Sequence, residues 1–171
     1  MPARHDIRRV ISGGQTGVDR AALDLALDHG LPCGGWCPAG RAAEDRPIPA
    51  KYPLRETISP DPNQRTEWNA RDADATLVLT MGEPSGGTAY TVEILRKLRR
   101  PHLVVDLDGD ADAAEVRRWI ERQAPHTLNV AGPRESESPG IYGMAKKFLS
   151  KILLIAPHEG VAVPNASKPS G

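Results

Sequence analysis

Aromatic side chains are scarce in this sequence, at 4% of residues with a single Phe. That leaves little material for the stacking platforms on which single-stranded nucleic acids lie. Charge of one sign is not in excess either, since Lys+Arg and Asp+Glu both number 22. A balanced chain lacks the field that makes a polyphosphate backbone or an anionic membrane a natural partner, so a small ligand is expected, with no nucleic acid and no membrane. Cysteine is nearly absent. Cys33 and Cys37 stand in a C-x3-C spacing with no histidine pair nearby, which fits neither a C-x-x-C redox motif nor a four-ligand zinc site. Both are expected as buried structural thiols. No stretch reaches the roughly 18 apolar residues of a membrane span, and Met1 to Arg9 carries charges in place of an apolar leader. The expectation is a soluble, cytoplasmic protein.

A chain of 171 residues suits one domain, because a core of that size needs no staples. Residues 1–159 are read as that domain and residues 160–171, with Pro164 and Pro169, as a frayed tail. Ile7 to Ile11 is a short β-branched run that stops at Ser12-Gly13-Gly14, and Val18 to His29 follows with Ala and Leu and few helix breakers. The spacing predicts strand, turn and helix, ended by Gly30 and Pro32. Cys33 to Cys37 reads as a short second strand. Pro38 to Gln64 is rich in Pro, Gly and charge, a long irregular segment that either covers a ligand or merely links elements. Thr66 to Asp72 is expected as a helix and Ala75 to Leu79, apolar on both faces, as the central strand. Thr88 to Arg99 reads as a helix, His102 to Leu107 as a strand, the surroundings of Val116, Trp119 and Ile120 as a helix, and Thr127 to Val130 as the last strand. Ile141, Ala145, Phe148, Ile152 and Ile155 form one stripe on a closing helix. That stripe offers more apolar surface than the sheet needs, so it is also a candidate for self-association.

Alternating strands and helices predict a mostly parallel sheet covered on both faces, a Rossmann-like three-layer α/β arrangement. Ligands of such folds sit at the carboxyl ends of the strands. The unusual loops 12–17, 80–88 and 131–140 each follow a strand, so the topology gathers them on one edge.

In the first loop, Ser12-Gly13-Gly14-Gln15-Thr16-Gly17, the glycines let backbone N–H groups approach an anion, and the next helix presents its positive end. Ser12, Gln15 and Thr16 add side-chain donors, so phosphate is the expected guest; a tight turn needing glycine only for geometry is the alternative. The loop is neither a Walker A motif nor a G-x-G-x-x-G fingerprint. Pro84-Ser85-Gly86-Gly87-Thr88 repeats the device at a second helix start. The third loop brings Arg134 and Ser136, the arginine suited to bidentate contact with phosphate. Asp106, Asp108, Asp110 and Asp112 do not match a calcium loop, because glycine is misplaced and Arg117 stands where the closing carboxylate belongs. Helix capping explains them better. The five histidines show no metal-ligand spacing, so no protein-ligated metal site is expected.

Ser12-Gly13-Gly14-Gln15-Thr16-Gly17-Val18-Asp19, Arg65-Thr66-Glu67-Trp68-Asn69, Gly86-Gly87-Thr88-Ala89-Tyr90-Thr91 and Leu128-Asn129-Val130-Ala131-Gly132-Pro133-Arg134-Glu135-Ser136 together resemble the putative molybdenum carrier family, over about residues 7 to 155. The resemblance implies a Rossmann-like fold, a homo-oligomer of two or four copies, and binding of molybdenum cofactor, a pterin bearing a phosphate. That family is similar in turn to phosphoribohydrolases once labelled lysine decarboxylases, with the signature P-G-G-x-G-T-x-x-E and a preceding helix that carries an arginine. Arg65 falls on that arginine and Gly87-Thr88 on the Gly-Thr of the signature. The glutamate does not align: its place holds Thr91, and Glu93 lies two residues on, roughly 200° around the helix. This departure favours a binding protein over a hydrolase of nucleoside monophosphates in which Arg65 and Glu93 would be the catalytic pair. A nucleotide sensor is the third alternative, with no dedicated feature.

Overall fold

The computed structural model describes residues 6–154. Arg9–Ile11 forms β1, which feeds through the first glycine loop into α1, Val18–Asp28. The helix stops where expected, with Gly30 in the left-handed region at φ 67°. Cys33–Gly34 (β2) and Trp36–Cys37 (β3) replace the one strand expected there. Gly35 divides them, and they join different sheets: β2 pairs with β1, whereas β3 pairs with Arg55–Glu56 (β4) in a separate two-stranded ribbon.

The second helix, α2, runs Pro62–Asp72, a full turn earlier than its apolar pattern announces. Asp61 accepts from the Asn63 N–H at 2.9 Å, and Pro62 fits the first helical position, where no N–H is needed. Ala75–Thr80 is β5, Gly86–Lys97 is α3 and His102–Asp106 is β6. Ala113–Gln123 (α4), Thr127–Ala131 (β7) and Ile141–Leu153 (α5) complete the order. Of the acidic run, Asp112 caps α4 through the Ala114 N–H at 2.8 Å, while Asp106 accepts from Gly82 and Asp108 in a turn.

The main sheet has the order β2-β1-β7-β5-β6, and every pairing is parallel. Helices α1, α5 and α4 pack together, and α2 packs with α3, giving three layers. β7 enters last, between β1 and β5, so the direction of winding reverses at the centre of the sheet. That is the crevice in which ligands of open parallel sheets bind. Leu77, Leu79, Leu128 and Val130 fill the core on one face of the sheet and Val78 packs with Ala70, Val92 and Leu95 on the other; the four and Val78 have no exposed surface.

The stripe on α5 is part of this core. Ile141, Ala145, Phe148 and Ile152 are buried against their own chain, so the stripe offers no surplus surface for self-association; Ile155 lies outside the described residues. Residues 38–61 are not a linker. They fold into a strap over one end of α1, where Ile48 and Tyr52 join Leu23 and Cys37 in a small core cluster of their own. Arg41 anchors the strap: its guanidinium donates to the carbonyls of Ile48, Pro49, Tyr52 and Leu54, while its backbone is held at φ 55°. No helix among the described residues is long and apolar enough to cross a membrane. Cys37 is fully buried and Cys33 half-buried, and burial pushes both thiols up from their ordinary value.

Candidate functional site

The carboxyl ends of β1, β7 and β5 open into a cleft of about 310 Å³, the lower end of the range for small-molecule sites. Gln15 enters it from the first loop, Gly87, Thr88 and Thr91 from α3, and Gly132 and Arg134 from the loop after β7. α2 closes the remaining side with Arg65 and Thr66.

Asp19, on the first turn of α1, lines this cleft and is 2% exposed. Its Oδ2 accepts from Arg65 Nη1 at 3.0 Å and from the Gln15 N–H at 3.2 Å. Burial pushes the Asp19 carboxyl above its ordinary value, against the Arg65 guanidinium and the Gln15 N–H, which favour the charged form. The Ser12 hydroxyl lies near enough to favour that charge as well, without completing a hydrogen bond. Arg65 reaches Asp19 by crossing Gly13, where a Cβ would stand 1.8 Å from Nη1. A side chain at position 13 would push the guanidinium off Asp19, whereas the turn itself holds Gly13 at no positive φ.

Among the described residues, Arg65 Nε and Ser12 Oγ are the fully buried side-chain polar atoms that lack a hydrogen-bond partner. An unpaired buried donor costs about 1–3 kcal/mol, which marks the place where a guest could satisfy it. The start of α3 is open in the same way. Ser85 makes no side-chain cap there, and the first backbone N–H groups to find a partner are those of Thr88 and Ala89, both on the Ser85 carbonyl. The N–H groups of Gly86 and Gly87 thus face outward at the positive end of a helix.

The profile of the circularly permutated YpsA SLOG family matches residues 10–153. The chain belongs to that family. In three dimensions it is similar to the crystal structure of a "putative molybdenum carrier protein" from Syntrophus aciditrophicus, with a TM-score of 0.84 and 38% identity over 90% of this chain and 98% of that one. No curated protein matches it.

The three loops expected on one edge do meet in this SLOG-family protein, but their residues divide. Gln15, Arg65, Gly87, Thr88 and Arg134 line the cleft. Gly13 lines a small recess beneath it, together with Asp19, Arg65, Asn69 and Asn129. Ser12, Gly14, Thr16, Gly17, Gly86 and Ser136 do not line the cleft. The backbone donors of the first loop divide: Ser12 pairs with the Gly34 carbonyl at 3.1 Å, Gln15 with Asp19 and Thr16 with the Gln15 side chain at 3.0 Å, whereas the Gly13, Gly14 and Gly17 N–H groups find no partner among the described residues. Glu93 is exposed on α3 and does not line the cleft, whereas Thr91 does, as the helical offset requires. Asp19 is the residue that the sequence reading passed over. It stood in the quoted loop, and its signal was a charged residue among the apolar positions of α1.

Proposed function

We propose that this cleft binds a small phosphorylated heterocycle, of the class of molybdenum cofactor, and carries it without transforming it. One observation carries the reading: an arginine with an unpartnered buried nitrogen lines the same cleft as an uncapped helix start. A phosphate group would satisfy both, through a guanidinium fork and through backbone N–H groups. The donors in the cleft are guanidinium, amide and hydroxyl groups, which suit the organic, phosphate-bearing part of such a cargo. The carrier description of the structurally similar protein from Syntrophus aciditrophicus points the same way. The phosphate then belongs with Arg65 and Gly87-Thr88, and the ring toward Gln15 and Gly132. Assembly into two or four copies remains part of the reading, on a surface other than the α5 stripe.

The test is thermal shift and titration calorimetry of the full chain with molybdenum cofactor and with nucleoside monophosphates. A ligand that binds only the folded state must raise the Tm. Arg65→Lys keeps a charge opposite Asp19 but cannot form the fork, so affinity should fall about tenfold to a hundredfold while the fold persists. The reading fails if none of these ligands raises the Tm, or if Arg65→Lys binds as tightly as the parent.

Asp19 favours a second reading, hydrolysis of the glycosidic bond of a nucleoside monophosphate. A carboxyl held above its usual range inside the cleft suits an acid, and Glu93 lies outside. Free base released by the parent, lost in Asp19→Asn and kept in Glu93→Ala, would place hydrolysis above carriage.

A further inference from the structure

On the rim of the cleft, the strap places a carboxylate where a guest anion would fit. Glu44 Oε1 accepts from the Thr16 hydroxyl and from the Ser136 N–H at 3.2 Å, and its Oε2 accepts from the Ser136 hydroxyl. Arg134 Nε donates to Glu137 Oε1 at 2.7 Å and stands 3.8 Å from that Glu44 oxygen. The Glu135 N–H donates to Thr16 Oγ1 at 3.2 Å, which turns the threonine proton toward Glu44. The Glu44 N–H is fixed in turn on Gln15 Oε1 at 3.0 Å.

Two hydroxyls and a backbone N–H from two different loops thus converge on one oxyanion, with the Arg134 guanidinium at ion-pair distance. That is the donor set of a phosphate site, and only its occupant belongs to the chain. The donors hold Glu44 below the usual carboxylate range, as they would any anion in that place. Arg134 belongs to both places, since it also lines the cleft. The strap does not depend on this contact alone, because Arg20 grips the adjacent Asp45 through two nitrogens and Arg41 anchors its middle.

We propose that Thr16, Ser136 and Arg134 form a second oxyanion site on the rim of the cleft, that the Glu44 carboxylate fills it as an internal plug, and that a phosphate-type oxyanion displaces it. The inference rests on the cleft being the ligand site only for its biological use. The displacement itself is a property of the rim. The cleft would then accept ligands with two anionic groups, one at Arg65 and one at Ser136, and binding the second would release Glu44 and its neighbours from the rim. A tethered carboxylate competes at high effective concentration, so the site should be weak in the parent and stronger once the plug is removed.

Titration of inorganic phosphate into ¹⁵N-labelled full chain, followed by amide shifts, separates the two sites. In Glu44→Ala the Ser136 and Glu135 amides should respond at a phosphate concentration roughly tenfold or more below that needed by the parent. Glu44→Gln, which keeps an acceptor without the charge, should fall between them. Adding Ser136→Ala to Glu44→Ala should remove the gain. The amide of Gly87, which lines the cleft, and that of its neighbour Gly86 at the start of α3 report the cleft independently. If they respond and Ser136 in Glu44→Ala and Glu44→Gln behaves as in the parent, the plug is wrong and the cleft reading stands. If Ser136 responds and the glycines do not, the plug stands and the cleft reading falls. A nucleoside diphosphate that gains more from Glu44→Ala than its monophosphate identifies the displacing group as the second phosphate of a ligand; equal gains identify free phosphate.

Discussion

The central sheet and the strap are ordered by different forces. All six residues of β5 are buried, and Leu77, Val78 and Leu79 have no exposed surface. In residues 38–61 the buried side chains reduce to Pro38, Ile48, Tyr52 and Thr57. Directional contacts do the rest: Arg41 on four carbonyls, Arg20 on Asp45, and Tyr52 on Asp24 at 2.6 Å. The sheet is held by non-directional burial, which tolerates small displacements and is shared among many residues. The strap is held by a few charged groups, each answerable for several bonds. A segment of that kind can open without unfolding the protein.

A cavity in the sheet separates the two regions by the largest effect. Leu77→Ala should cost about 2–5 kcal/mol and lower the urea midpoint with an unchanged m value, because a fully enclosed side chain leaves a void that its neighbours cannot fill. Every amide should lose protection together. A loss under 1 kcal/mol would mean that the centre of the sheet repacks.

Arg41→Ala tests the opposite behaviour. It removes a charged donor from four carbonyls and should cost about 1.5–3 kcal/mol, confined to the strap. Hydrogen exchange should quicken over residues 41–54 and stay slow over 77–80. Equal quickening in both regions would make the strap one cooperative unit with the sheet.

Acid gives the smallest effect, with opposite signs in the strap and at the start of α1. Glu44 and Asp45 are both lowered from their ordinary values, chiefly by hydrogen bonds from Ser136 and Thr16 and from Arg20. Their stabilisation is complete above the ordinary values of 4.5 and 3.8, and it is lost as pH falls through the lowered ones. Asp19 is raised by burial, so its contribution is complete below 3.8 and is lost as pH rises through the raised value. Acidification should therefore loosen the strap first, seen as movement of the Ser136 amide before that of Leu77. Glu44→Gln with Asp45→Asn should flatten that early phase. Simultaneous movement in the parent would deny the difference.

The expected elements of the sheet appear where apolar runs marked them, in β5 at Ala75–Thr80 and β7 at Thr127–Ala131. The errors fall where polar contacts decide. α2 begins at Pro62, inside a stretch read as irregular because its cap is a single aspartate and its first turn is polar. Gly35 splits a strand because it separates two sheets, and pairing partners leave no local mark. At the site, the glycine loops and Arg65 were legible, since unpaired helix starts and glycines are local features. Asp19 in the cleft and Glu44 on Ser136 were not, because each depends on a partner 46 or 92 positions away.

By itself the sequence determined the alternation of strands and helices, the parallel sheet, and the edge on which its loops collect. Periodicity and chain handedness suffice for these, since burial selects a face and not a partner. Packing across the fold settled that α5 turns its stripe inward, that Glu44 occupies the Thr16 and Ser136 hydroxyls, and that Arg65 Nε and the start of α3 are left without a partner. Those outcomes turn on which donor meets which acceptor across the fold. Hydrogen bonds and ion pairs act over about 3 Å, a distance that sequence separation does not encode.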